Sequence, residues 1–231
     1  MTIQLESIQN LDQLFDRAFS ILEEQKNNGA KTFGLATGGT MLPLYERIRN
    51  SSLDFSNCKS VNLDEYVGLP KKHQQSYISF MQKQLFNTKS FEESYLPNGE
   101  AENPEMEAVN YENILKSLDL DFQLLGVGEN GHIGFNEPGS SFSSETHVVT
   151  LTESTRQANA RFFESIDEVP KHAITMGIAS IMRAHQILLI AVGEKKRDAI
   201  QALIDGEMTE EIPVTVLKGH DNVIILTNLN L

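Results

Sequence analysis

Ile187-Leu-Leu-Ile-Ala-Val192 is six consecutive apolar residues with no polar position among them. A strand with one face in water alternates polar with apolar, so a strand made of this run is buried on both faces. Four further segments read as strands: Lys31–Ala36, Ser60–Asp64, Phe122–Val127 and Asn222–Thr227. Stretches of helical period lie between them. Leu11, Leu14, Phe15, Ala18, Ile21 and Leu22 open the series, then come Leu42–Ile48, Tyr77–Phe86, Ala108–Leu118 and Lys195–Ile204. Tyr95–Glu105, with Pro97, Gly99 and Pro104, reads as a loop. Strands that alternate with helices and are apolar throughout predict an α/β fold, an open and mainly parallel sheet with helices on both faces. Ligands bind such sheets beyond the carboxyl ends of the strands, so residues just after a strand are the candidates for chemistry.

The 231 residues, 40% hydrophobic, suffice for a large core, and no repeat, low-complexity tract or linker divides them. One domain over 1–231 is expected. The formal net charge of −13 disfavours nucleic acid and anionic membrane as partners, while a few local cations still suffice for a small anion. Cys58 is the single cysteine, which excludes an intrachain disulfide and points to a reducing cytoplasm. No run approaches a membrane span, and Met1–Ser20 lacks the basic end and apolar middle of a signal peptide.

Thr37-Gly38-Gly39-Thr40 lies between a strand and a helix. Its glycines let the backbone approach a ligand and its amides open a helix, which suits phosphate; an ordinary strand-to-helix turn fits equally. It lacks both the Walker and the GxGxxG spacing. Arg161, flanked by Phe162 and Phe163, and Lys196, directly after the strongest strand, are the candidate cations, against the plain alternative of solvated surface charges. Asp64 ends a strand, where a partly desolvated carboxylate can act as a general base or simply cap the next turn. Glu65 is expected on the opposite side of the extended chain, so the two do not form a dyad.

The densest cluster is Gly126-Val-Gly-Glu-Asn-Gly-His-Ile-Gly-Phe-Asn-Glu-Pro138. His132 can carry a proton near neutrality, Glu137 can orient its ring or stabilise its charged form, and Asn130 can hold a neighbouring group. His73, His147, His172, His185 and His220 lack metal-ligand spacing, so no catalytic metal is expected. Cys58 has no adjacent base, and no serine sits in a GxSxG turn.

Five segments carry a resemblance: Gly34–Thr40, Asn62-Leu-Asp-Glu-Tyr-Val-Gly-Leu69, Ser76–Met81, Gly126–Pro138 and Thr155-Arg-Gln-Ala-Asn-Ala-Arg-Phe-Phe163. In this order they resemble the glucosamine-6-phosphate deaminase family over almost the whole chain. The resemblance implies a Rossmann-like three-layer sandwich acting on an amino-sugar phosphate without metal, nucleotide or pyridoxal cofactor. Asp64 matches the family's enolising base, His132 its ring-opening acid/base, and Glu137 the partner that orients the histidine. Asn130 matches a third ring-opening position, where some members have Asp. The glycine loop, Arg161 and Lys196 match the residues that grip phosphate. The segment from about 151 to 171 resembles a lid.

Two departures from the family pattern matter. Met41 stands where many members have Pro, which should loosen the start of the helix without removing a donor. His147 and Val149 stand where larger members place basic residues of an allosteric amino-sugar site. No activation by N-acetylglucosamine 6-phosphate is therefore expected, and a monomer or small homo-oligomer rather than a hexamer. Rival readings are a 6-phosphogluconolactonase, whose comparable loop resembles GxDGHTASLFP rather than the FNEP found here, a deaminase of galactosamine 6-phosphate, and a non-catalytic sugar-phosphate sensor.

Overall fold

A computed structural model describes residues 3–160 and 163–231. The chain opens with β1 (Ile3–Ser7), α1 (Leu11–Asn27), β2 (Thr32–Leu35), α2 (Leu42–Asn50) and β3 (Lys59–Asn62). Then come β4 (Asp64–Tyr66), α3 (Tyr77–Met81), β5 (Glu93–Tyr95), α4 (Pro104–Ser117) and β6 (Phe122–Gly126). The remainder is β7 (His147–Thr150), α5 (Glu153–Ala160), β8 (His172–Thr175), α6 (Ile178–Ile181), β9 (Gln186–Ala191), α7 (Arg197–Asp205) and β10 (Val223–Thr227).

Seven strands pair in the order β1-β10-β9-β6-β2-β3-β5, every neighbour parallel. β2, β9 and β10 are buried at every position, which requires cover on both faces. α1 supplies part of that cover. Asn10 caps it by accepting the Gln13 amide, and Leu14, Phe15, Ala18, Ile21 and Leu22 form its buried stripe. Each such side chain contributes roughly 1.5–3 kcal/mol when fully buried. At the centre of the sheet the Gln123 side chain lies over Gly34, where a Cβ would come within 2.0 Å of Gln123 Oε1. Among the described residues no helix is long and apolar enough to cross a membrane.

β4, β8 and β7 form a second, antiparallel sheet. It divides the strand expected over Ser60–Asp64. Leu63 is the hinge: its amide donates to Leu35 O (3.2 Å) in the first sheet, and its carbonyl accepts from Met176 N (2.7 Å) beside the second. Asp64 thus begins a new strand at the junction of the two sheets. The sequence reading missed β1, β5, β7 and β8, which are short, polar or half-buried and lack an apolar run. The loop expected over Tyr95–Glu105 is shorter, because Tyr95 closes β5 and Pro104 opens α4. The helix expected over Tyr77–Phe86 becomes a π-helical turn at Gln82–Phe86. At the start of α2, Met41 is buried in a 3₁₀ turn while Pro43 supplies the preset backbone angle one position into the helix.

Candidate active site

β2 and β6 are neighbours, but the chain runs from β2 outward to β3 and β5 before returning to β6 on the other side. The carboxyl ends of β2 and β6 therefore frame the crevice where the strand order reverses. A cavity of about 860 Å³ opens there, lined by Ala36 and Thr37 after β2, Gly126 at the end of β6 with Gly128, Glu129, Asn130 and His132 beyond it, Asp64 from β4, and Lys195 and Lys196 after β9.

Asp64 is only 6% exposed, and burial, followed by the charge of Glu65, pushes its carboxyl up to about 8. Among the described residues no hydrogen bond holds that carboxyl; it faces the cavity alone. Gly134 keeps the adjacent space open. At φ +57° a side chain there would begin 3.0 Å from Thr175 Oγ1 and 3.7 Å from Asp64 Oδ2. Glu65 turns the other way, as extended backbone requires, and accepts the amides of Tyr66 (2.9 Å), Tyr77 (2.9 Å) and Ile78 (3.0 Å). It thereby holds the first turn of α3, which presents Tyr77 to the cavity. Burial pushes the Tyr77 phenol well above its ordinary range, so it stays protonated.

The loop after β6 folds back on itself through Gly128 N to His132 O (2.9 Å) and Gly131 N to Gly128 O (3.1 Å). A Cβ on Gly128 would sit 2.1 Å from the His132 ring, so glycine is what gives the imidazole its place. Asn130 Oδ1 lies 2.7 Å from His132 Nδ1, and Asn130 Nδ2 donates to Glu137 Oε2 (2.7 Å). Glu137 itself is 3.6 Å from the ring nitrogen. This fills in the expected roles: Asn130 hydrogen-bonds the imidazole directly, and Glu137, within ion-pair distance of the ring, orients it through Asn130. An ionised carboxylate only accepts, so the Asn130 amide nitrogen faces Glu137 and its oxygen faces the ring. Nδ1 then carries the proton, leaving the Nε2 lone pair for a ligand. Burial lowers the His132 pKa, Glu137 works to raise it, and Lys196 lowers it further, so the ring is neutral at pH 7.

Of the glycine loop, Thr37 lines the cavity; Gly38, Gly39 and Thr40, where the chain enters a 3₁₀ turn, are not among the lining residues. Lys195 and Lys196 both line the cavity, but Lys195 is spent on Glu129 (3.2 Å). Among the described residues Lys196 has no carboxylate within ion-pair distance, and burial, then the neighbouring Lys195, lower its pKa against the pull of Glu129. A half-buried cation without a partner is suited to an anion. Arg161, the other expected cation, lies outside the described residues.

Tyr77, Thr155, Gln157, Asn159 and Glu129 also line the cavity and were given no role from sequence. Thr155 and Asn159, four apart on α5, share a helix face, a spacing that was legible. Asp119, Asp121 and His185, a trio close enough to share an ion, do not line this cavity.

Residues 8–225 match the family described as glucosamine-6-phosphate isomerases/6-phosphogluconolactonase. The chain belongs to this family. A relative from Lysinibacillus sphaericus named glucosamine-6-phosphate deaminase is 64% identical over 203 residues, 88% of this chain and 92% of the relative. One from Streptococcus suis (strain 05ZYH33) with the same name is 55% identical over 209 residues, 90% of this chain and 89% of the relative. A solved structure described as a monomeric glucosamine-6-phosphate deaminase matches at TM-score 0.93 and 43% identity, covering 97% of this chain and 96% of that one. The 6-phosphogluconolactonase of Thermotoga maritima matches at TM-score 0.76 and 17% identity over 98% of both chains, a likeness of fold alone. Within the glucosamine-6-phosphate isomerase/6-phosphogluconolactonase family, the high-identity likenesses thus fall on the isomerase side.

Proposed function

We propose that this chain is a glucosamine-6-phosphate deaminase, an isomerising aminohydrolase of amino-sugar catabolism that converts glucosamine 6-phosphate and water to fructose 6-phosphate and ammonia. One observation carries the reading: the buried Asp64 carboxyl, which has no hydrogen-bond partner among the described residues, lines the same cavity as the His132 imidazole, whose Nδ1 is held by Asn130. Named relatives at 64% and 55% identity support it.

In this reading Thr37, the free amides of the glycine loop, Lys196 and Arg161 hold the phosphate, and that remote binding orients the sugar. His132 Nε2 takes the proton of the C1 hydroxyl and returns it to the ring oxygen as the C1–O5 bond breaks, giving the open aldehyde. Asp64, in its ionised form, which is the minority below pH 8, removes the C2 proton, acidified by the neighbouring carbonyl, while the C1 oxygen takes a proton from the substrate's own ammonium group through solvent, completing an enolamine. Asp64 returns its proton to C1, leaving a ketimine at C2. Water adds at C2, and ammonia leaves with the C2–N bond electrons. Each positioned proton transfer is typically worth about 10²–10⁴ in rate. The lid over 151–171, a single domain over 1–231, a cytoplasmic site of action and a monomeric state complete the proposal. The monomer is favoured by the 43%-identical structure described as monomeric.

Ammonia release is measured side by side with glucosamine 6-phosphate and galactosamine 6-phosphate, with 6-phosphogluconolactone hydrolysis as control. Release from the first is expected. Hydrolysis of the lactone without ammonia release from either amino sugar would replace this reading with the lactonase.

A further inference from the structure

The hydrogen bonds that hold His132 continue past Glu137. Glu137 Oε1 accepts from Thr155 Oγ1 (2.5 Å), and Thr155 Oγ1 accepts from Thr152 Oγ1 (3.0 Å). Thr152 Oγ1 also accepts the Thr155 amide (3.2 Å) at the start of α5. With the two bonds of Asn130, an unbroken chain runs from the first turn of α5 to the catalytic imidazole. Its direction is set at the carboxylate, which accepts at both oxygens.

α5 lies in the segment between β7 and β8, closed at its base by Leu151 N to Lys171 O (2.8 Å). Arg156 and Gln157, the neighbouring side chains of α5, bond inside the segment, to Glu153, Ile166 O and Val169 O. Thr155 instead reaches across to the loop after β6, and it lines the cavity.

We propose that Thr155 is a positioning residue that makes the imidazole competent only when α5 is seated over the cavity. With its hydroxyl on Glu137, the carboxylate is fixed, Asn130 keeps its oxygen toward the ring, and Nε2 offers a lone pair. Without it, Glu137 keeps only Asn130 as a partner, and Asn130, whose oxygen is otherwise held by the longer bond from the His132 amide (3.3 Å), can in part of the population present its NH₂ to the ring, which moves the proton to Nε2 and removes the base that opens the sugar. The reactive aldehyde is then generated only under a covered site. This rests on the deaminase reading for its kinetic consequence, but the coupling of Thr155 to the ring does not.

The test compares wild type with Thr155→Val, which keeps the shape and loses the hydroxyl, and Thr155→Ser, which keeps the hydroxyl. Ring ¹⁵N shifts of His132, read at a pH where the imidazole is neutral, are expected to show the Nδ1–H tautomer in wild type and Thr155→Ser, and a mixture in Thr155→Val. Turnover of glucosamine 6-phosphate is expected to fall about ten-fold in kcat for Thr155→Val, with KM within about two-fold, as for loss of one charge-assisted bond acting indirectly. In a Glu137→Gln background the valine substitution should have no further effect on kcat. An unchanged tautomer in Thr155→Val, or a serine variant as impaired as the valine one, overturns the proposal. A wild type that releases no ammonia removes the deaminase reading, while the ring spectrum still decides the coupling.

Discussion

Asp64 should cost this protein stability, and Asp64→Asn tests that together with its role. The carboxyl titrates at 3.8 in an unfolded chain and near 8 in the native one. Below 3.8 both states hold the proton and there is no penalty. Between 3.8 and 8 the unfolded state ionises while the native state does not, so native stability falls as pH rises, and above 8 the loss is complete. At about 1.4 kcal/mol per unit, the interval from 3.8 to pH 7 sets a ceiling of about 4 kcal/mol. An amide has no charge to desolvate but does need partners, so a net gain of roughly 2–4 kcal/mol at pH 7–8 is expected for the variant. Urea unfolding followed by far-ultraviolet circular dichroism, which needs none of the tryptophan this chain lacks, would measure both proteins from pH 4 to pH 9. The gap should close near pH 4. In parallel the variant should bind substrate yet lose about 10²–10⁴ in turnover. A gap independent of pH, or a wild type more stable than the variant at pH 8, refutes the account of Asp64 as a desolvated base.

Lys196→Ala should raise KM for the sugar phosphate by about ten-fold or more, whereas Lys195→Ala, already paired with Glu129, should change it less than about three-fold; steady-state kinetics at low salt separate them. Gly128→Ala should push the His132 ring off Asn130 and cut kcat by about 10²-fold, with a smaller loss of stability of about 1–3 kcal/mol, checked by kinetics and urea unfolding. N-acetylglucosamine 6-phosphate should leave the substrate saturation curve unchanged, because His147 spends its ring on the Glu145 carbonyl (2.8 Å) and Val149 carries no charge; a leftward shift of the curve would show a regulatory site.

Much of the fold was legible. The mainly apolar runs at 31–36, 122–127, 187–192 and 222–227 became β2, β6, β9 and β10, because burial on both faces leaves an apolar signature that does not alternate. β1 was missed because, as an edge strand, it buries little, and the alternation of Ile3-Gln4-Leu5-Glu6 is too short to stand out. β7 and β8 were missed because four residues are too few to show a period. In the site, Asp64 and His132 could be found from their places after strands, whereas Tyr77 comes from a helix distant in sequence and gave no local cue, and Thr155 gave only its helical spacing to Asn159.

The sequence by itself determined that the sheet would be parallel and covered, and it pointed to the ends of the segments at 31–36, 60–64 and 122–127, which the cavity adjoins. Those conclusions rest on period and on glycine placement, which are properties of neighbouring residues. Only the tertiary structure decided that Asn130 hydrogen-bonds the imidazole while Glu137 stands 3.6 Å off, that among the described residues Lys196 rather than Lys195 lacks a carboxylate partner, and that Leu63 turns the chain from one sheet to the other. Each of these is a choice of polar partner or backbone path across the fold. A difference of about an ångström settles it, and spacing along the chain carries no such distance.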